Sequence, residues 1–174
     1  MTGGRAEHPR WPHAVLDTAA HRPTPFRQFV LKVHSRCNLN CSYCYIYQGA
    51  DGSWHDRPAR VAEPTMLRTA ERIAEHVREH HLTGIRIELH GGEPLLGGPA
   101  PVLAYARTVR DAVPATCQVT ATVQTNGTRL TEPTLDRLAA AGIRVGLSLD
   151  GGRAAHNARR VDRTGRPAWP AARA

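Results

Sequence analysis

The chain has 174 residues, enough for one domain with a sizeable core, and a net charge of +8 in which every basic side chain except Lys32 is arginine. The sequence shows no run of about 18 apolar residues to span a membrane and no secretory h-region in its first 25 residues, so the reading is a cytoplasmic protein with reduced thiols. The arginines are scattered and lack interleaved aromatics. Solvated helix faces and an arginine-rich codon bias explain them better than a nucleic-acid partner does.

Residues 1–25 are rich in Pro, His and Arg and read as a flexible N-terminal segment. Phe26–His34 reads as the first strand, followed by a cysteine-bearing loop and a Gly/Asp/Pro stretch to Arg60. A helix is predicted over Pro64–His80, with Met66, Ala70, Ile73 and Val77 on one face and Pro64 in its first turn. Gly84–His90 reads as the second strand and Pro101–Val113 as a helix facing inward through Val102, Ala106 and Val109. The third strand is Gln118–Thr125, turned by Asn126-Gly127. Thr131 then caps a helix, Leu130 and Leu135 offer a hydrophobic staple, and Gly142 stands just past its end. Ile143–Leu149 reads as the fourth strand, and Asp150-Gly151-Gly152 opens a segment predicted helical to about Arg160. Gly165–Pro170 resembles the lead-in to another unit.

Strands alternating with helices imply an α/β fold with a parallel sheet. A sheet covered on both faces shows unbroken apolar strands; here Ile85, Ile87 and Leu89 alternate with Arg86, Glu88 and His90, and the later strands behave alike. One face is therefore packed by helices while the other is polar. This fits a curved, incomplete parallel βα barrel of about four βα units with a wet interior. Functional residues would sit beyond the C-terminal strand ends.

The most specific signal is Cys37-x-x-x-Cys41-x-x-Cys44. Structural zinc takes four ligands, usually from two cysteine pairs, so zinc would need His34 or His55. A 4Fe–4S cluster held by three thiolates instead leaves one iron open to a small molecule. The other strand ends carry Gly91-Gly92-Glu93-Pro94, Gln124-Thr125-Asn126-Gly127 and Ser148-Leu149-Asp150-Gly151. Each has a bland reading as a turn or cap; together they mark one rim. Cys117, alone at a strand start, reads as a buried small residue. His90 and Glu88 could face the interior near a substrate.

The cysteine run followed by HGGEP, QTNGT and SLDG resembles the radical SAM superfamily over about residues 26–160. It resembles in particular the SPASM-type peptide maturase branch, which includes anaerobic sulfatase-maturating enzymes. The stretches PFRQFVLKVHSRCNLNCSYCYIYQG and RIELHGGEPLL are also similar to FxsB-type cyclophane-forming maturases. The resemblance implies Cys37, Cys41 and Cys44 as ligands of a 4Fe–4S cluster. Tyr43 would lie against the adenine of S-adenosylmethionine (SAM), and Gly91, Gly92 and Glu93 would receive its amino group. Asn126, Ser148 and Asp150 would face the ribose and nearby polar groups, with Thr125 a weaker candidate. Arg160, or Arg159 one residue away, would pair with the SAM carboxylate. Tyr43 as a core aromatic, Asp150 as a helix cap and Arg160 as a solvated side chain remain alternatives.

The implied activity is reductive SAM cleavage that starts radical modification of a ribosomally made precursor peptide, with C–C crosslinking as the expected outcome. A ferredoxin or flavodoxin would supply the electron. The family core has six βα units, whereas four strands precede Ala174 and no cysteine follows Cys117. Residues 26–174 therefore read as a C-terminally truncated core without an auxiliary-cluster domain, whose barrel a partner chain could complete. The alternative is a non-catalytic remnant or split-protein half that binds a cluster without turnover. A zinc-binding structural module is a third reading.

Overall fold

Alternation along the strands decides the architecture. In a computed structural model describing residues 24–173, β1 (Gln28–His34), β2 (Gly84–Gly91), β3 (Gln118–Thr125) and β4 (Ile143–Leu147) form one parallel sheet in the order β1-β2-β3-β4. All but the last two residues of the predicted flexible segment lie outside the described residues. Ile85, Ile87 and Leu89 on β2, with Ala121 and Val123 on β3, are buried on one face. Against that face lie α1 (Glu63–Glu79), through Ala70, Ile73 and Val77, and α2 (Ala100–Ala112), through Val102, Tyr105, Ala106 and Val109. Each fully buried large apolar side chain contributes roughly 1.5–3 kcal/mol, so this seam is the main support of the site. Cys117 is buried beneath it.

The other face stays open. Val30, Lys32, Arg86 and Arg144 are exposed there, and Glu88 and His90 are half-buried. Pairing shifts register between Lys32 and His34, where β1 leaves the sheet for the cysteine loop. Among the described residues no helix is long and apolar enough to cross a membrane.

α3 (Glu132–Ala140) begins as expected: the Thr131 hydroxyl accepts from the Thr134 amide. It ends at Gly142, whose φ of +61° suits a residue without a Cβ. Two expectations fail nearby. β4 stops at Leu147, not Leu149, because Thr125 opposite Leu147 is the last residue β3 offers before the chain turns; Leu147 and Leu149 are consequently exposed. Residues 150–160 form no helix beyond a single 3-10 turn at Ala154–Asn157. Gly151 sits at φ +123°. The Asn157 side chain accepts from the Asp150 amide and donates to the Gly151 and Arg153 carbonyls, competing with a helical ladder.

The C-terminal segment folds back on the site. Asn40 donates its amide to the Val161 carbonyl at 2.7 Å, Leu39 bridges Asp162, and α4 (Trp169–Arg173) follows a buried Ala168.

Candidate active site

Four loops leave the C-terminal ends of the strands on one rim and enclose a cavity of about 320 Å³. Cys37, Cys41 and Cys44 reach it from the loop after β1; Gly91 and Gly92 reach it from the end of β2. Thr125 and Asn126 come from the end of β3, Ser148 follows β4, and Arg160 arrives from the C-terminal segment. Residues scattered over more than 120 positions thus share one chamber, because parallel strands deliver their ends to the same side.

The cysteine loop is held from outside the cavity. Arg36 donates to the carbonyls of Ser35, Trp54, His55 and Arg57, fastening the following turn. Gly92 donates to the His34 carbonyl and Glu93 to the Arg36 carbonyl, each at 2.9 Å, so the end of β2 is stitched to the base of the loop. This close approach explains the glycines: a Cβ on Gly91 would overlap the His34 carbonyl, and one on Gly92 the Arg36 carbonyl and the Tyr47 hydroxyl.

The Cys37 sulfur accepts from the Leu39 amide at 3.4 Å and faces the Asn126 amide nitrogen at 3.8 Å. Burial pushes the Cys37 and Cys41 thiols above their ordinary value. Asn126 is itself fixed, donating to Asn38 Oδ1 and accepting from the Thr128 amide and hydroxyl.

Glu93 is fully buried and does not line the cavity. Its Oε1 accepts from the Leu95 amide (3.0 Å) and the Thr125 hydroxyl (2.8 Å), and its Oε2 from the Asn126 amide (2.8 Å). The carboxylate expected to face an ammonium thus clamps two loops together behind the wall, leaving the backbone of Gly91 and Gly92 on the cavity side.

Asp150 also stands behind the wall. Tyr43 donates its hydroxyl to the Asp150 carboxylate, 2.7 Å from Oδ2, and Arg160 Nη1 lies 3.0 Å from the Tyr43 oxygen and 3.3 Å from Asp150 Oδ1. Tyr43 is 46% exposed, while its hydroxyl is held by both partners; burial, then the carboxylate, pushes the phenol up to about 12. These placements close three alternatives. Tyr43 is not a core aromatic, Asp150 caps no helix, and Arg160, 8% exposed, is not a solvated arginine. Arg159 is exposed and outside the wall.

Gln124, on the polar side of the β3 alternation and in the rim motif, lines the cavity and donates to the Ser148 hydroxyl at 2.7 Å, in space that Gly146 leaves free. Sequence reading missed two other participants. Asn157, buried, shapes the Asp150 loop. The Tyr47 hydroxyl is buried with no hydrogen-bond partner among the described residues, and burial plus the neighbouring Cys37 and Cys44 push it up to about 12. No local signal marks either. His90 does line the cavity; Glu88 does not.

The radical SAM superfamily model matches residues 31–170. The chain belongs to the radical SAM superfamily. It is 29% identical over 154 residues to the serine-type anaerobic sulfatase-maturating enzyme of Klebsiella aerogenes, covering 86% of this chain and 36% of that protein. It is 31% identical over 129 residues to a probable GTP 3′,8-cyclase of Methanococcus maripaludis, covering 71% of this chain and 36% of that protein. The fold matches native anSMEcpe with bound AdoMet at a TM-score of 0.68 and 24% identity, covering 85% of this chain and 39% of that one. The chain thus spans little more than a third of the relatives it matches. Its α/β sheet is a partial radical SAM barrel.

The superfamily's cofactors are a 4Fe–4S cluster and SAM, and the residues present fit them. The three thiols share one chamber whose lining includes Arg160 and no carboxylate, which suits an anionic cluster and a ligand carboxylate. Among the described residues the buried Tyr47 hydroxyl has no partner, and it shares the chamber with Gly91 and Gly92, so a polar occupant would be met there. Among the described residues no three His, Cys, Asp or Glu, the three cysteines included, converge on one ion; a four-iron cluster taking one thiolate per iron tolerates that spacing, whereas a single zinc does not.

Proposed function

We propose that this chain is the SAM-cleaving core of a peptide-modifying radical enzyme. One observation carries the reading: three thiols, a two-glycine backbone and a buried arginine meet in one cavity at the C-terminal end of a parallel sheet. Cys37, Cys41 and Cys44 would each ligate one iron, leaving the fourth for SAM. The Gly91–Gly92 backbone would take the amino group and Arg160 the carboxylate. The Tyr43 ring would lie against the adenine, with Ser148 and Asn126 toward the ribose. Glu93 and Asp150 position these residues from behind. Bound and reduced, the cofactor pair supplies a carbon radical that removes a hydrogen atom from an unactivated carbon.

A peptide substrate is supported by the sulfatase-maturating relatives and by a related solved structure, native anSMEcpe with AdoMet and the Cp18Cys peptide. The open polar face of the sheet, continuous with the cavity through His90, offers room for an extended segment. C–C crosslinking of a ribosomal precursor, with a ferredoxin or flavodoxin as donor, follows from the motif resemblance. The test is anaerobic reconstitution followed by reductant-dependent release of 5′-deoxyadenosine from SAM, with a Cys41→Ala control. Release that disappears in the control supports a SAM-cleaving core. A loaded protein that releases none favours the non-catalytic reading. A crosslinked precursor would lose two hydrogens in mass.

A further inference from the structure

A second cavity, of about 540 Å³, opens on the far side of Cys37. Cys37 lines both cavities. The outer one is cationic: Arg36, Arg129 and Arg163 line it against a single carboxylate, Asp162. None of the three arginines is in an ion pair among the described residues. Arg36 is spent on four neutral carbonyls, Arg163 donates to the Cys37 carbonyl at 3.1 Å, and Arg129 is exposed. The Asp162 Oδ1 accepts the Thr164 amide and hydroxyl and the Arg166 amide and so folds its own turn, and its single charge leaves the three arginines in excess.

From this geometry we infer that the Arg36–Arg129–Arg163 face is the docking surface for an acidic one-electron carrier protein. The inference rests on the cluster being held by Cys37, Cys41 and Cys44. A donor seated here is separated from the cluster by one ligand residue, whereas the inner cavity is needed for SAM and substrate. A concave surface of one charge sign steers an oppositely charged partner and sets its orientation. The step is a single electron passing from reduced carrier to cluster, with no bond made or broken and no proton moved. Leu96 gives the rim a small apolar contact.

The test uses reduced flavodoxin as the probe carrier and follows bleaching of the reconstituted cluster by anaerobic stopped flow. Arg129→Glu is the clean variant, since among the described residues Arg129 supports no other by a hydrogen bond. It should slow flavodoxin-driven reduction on the order of tenfold at low salt and flatten its salt dependence, while dithionite reduces variant and wild type alike. Arg107→Glu on α2 is the distant control and should leave both rates unchanged. Arg163→Gln, with iron and sulfide content measured, should fall between. Flavodoxin-driven rates equal in Arg129→Glu and wild type would overturn the docking face while leaving the cluster reading intact. A wild type that takes up no iron and sulfide would overturn the cluster reading, and the docking face with it.

Discussion

Glu93 Oε2 accepts the Asn126 backbone amide at 2.8 Å, joining the end of β2 to the end of β3 through a carboxylate with no solvent exposure. A buried carboxylate is tolerated only when its lone pairs are met, and three donors meet them here. Glu93→Gln cannot reproduce this. Whichever way the amide turns, its NH2 faces the backbone N–H of Leu95 or of Asn126. The expected loss is about 1–3 kcal/mol, read as a lower melting temperature of the metal-free protein. A glutamate that only contacted ligand would leave that temperature unchanged.

Arg160 is the one guanidinium in the inner wall and is already pre-aimed by the Tyr43 oxygen and Asp150. Arg160→Ala should weaken SAM binding to the cluster-loaded protein by about tenfold to a hundredfold, the scale of a hydrogen bond to a charged group. Equilibrium dialysis with labelled SAM measures it. Arg159→Ala, outside the wall, should bind normally. Equal losses in the two variants would reject the assignment to Arg160.

The Tyr47 hydroxyl gives a prediction with opposite signs in two states. Among the described residues it is a buried donor without an acceptor, so Tyr47→Phe should raise the stability of the metal-free protein by up to about 1–3 kcal/mol. In the loaded protein the same group stands beside Cys37 and Cys44 and should donate toward cluster sulfur. Losing such a bond lowers a cluster's potential. Thermal unfolding and an anaerobic redox titration separate the two effects; an unchanged potential would show that the hydroxyl points elsewhere.

Gly92 is a point of close approach between the loops. Gly92→Ala places a methyl against the Arg36 carbonyl and the Tyr47 hydroxyl at once, and overpacking of this kind costs typically about 1–3 kcal/mol. Because Arg36 holds the cysteine loop, iron and sulfide uptake should fall with stability. Gly152→Ala, where a Cβ meets nothing, is the matched control.

The rim was legible in the sequence because parallel strands put their ends together whatever the loops do. The alternation Ile85, Ile87, Leu89 gave the buried face, and the three-cysteine spacing gave the chamber's chemistry. Side-chain direction was not legible. Nothing in a run of Gly-Gly-Glu says that the glycines face the cavity while the carboxylate turns behind it to meet Thr125 and Asn126. Nor could local pattern foresee that Asn157 would replace a helical ladder with side-chain bonds around Asp150. Those outcomes depend on partners about 30 residues away for Glu93, and on a positive-φ glycine for the Asp150 loop.

His34 ties stability to pH. Its Nδ1 lies 3.1 Å from the Arg36 amide nitrogen and 3.3 Å from the Arg36 carbonyl oxygen. Burial foremost, with the Arg60 and Arg36 charges assisting, outweighs the opposing Arg36 carbonyl bond and lowers its pKa below the ordinary 6.5. A lowered histidine binds fewer protons folded than unfolded, so stability rises with pH across this range. The contribution is complete above about 6.5 and is lost as the pH falls through the depressed folded value. His34→Asn should flatten that acid-side slope. Urea midpoints measured at a series of pH values below 7 provide the check, and an unaltered slope in the variant would assign the acid sensitivity to other groups.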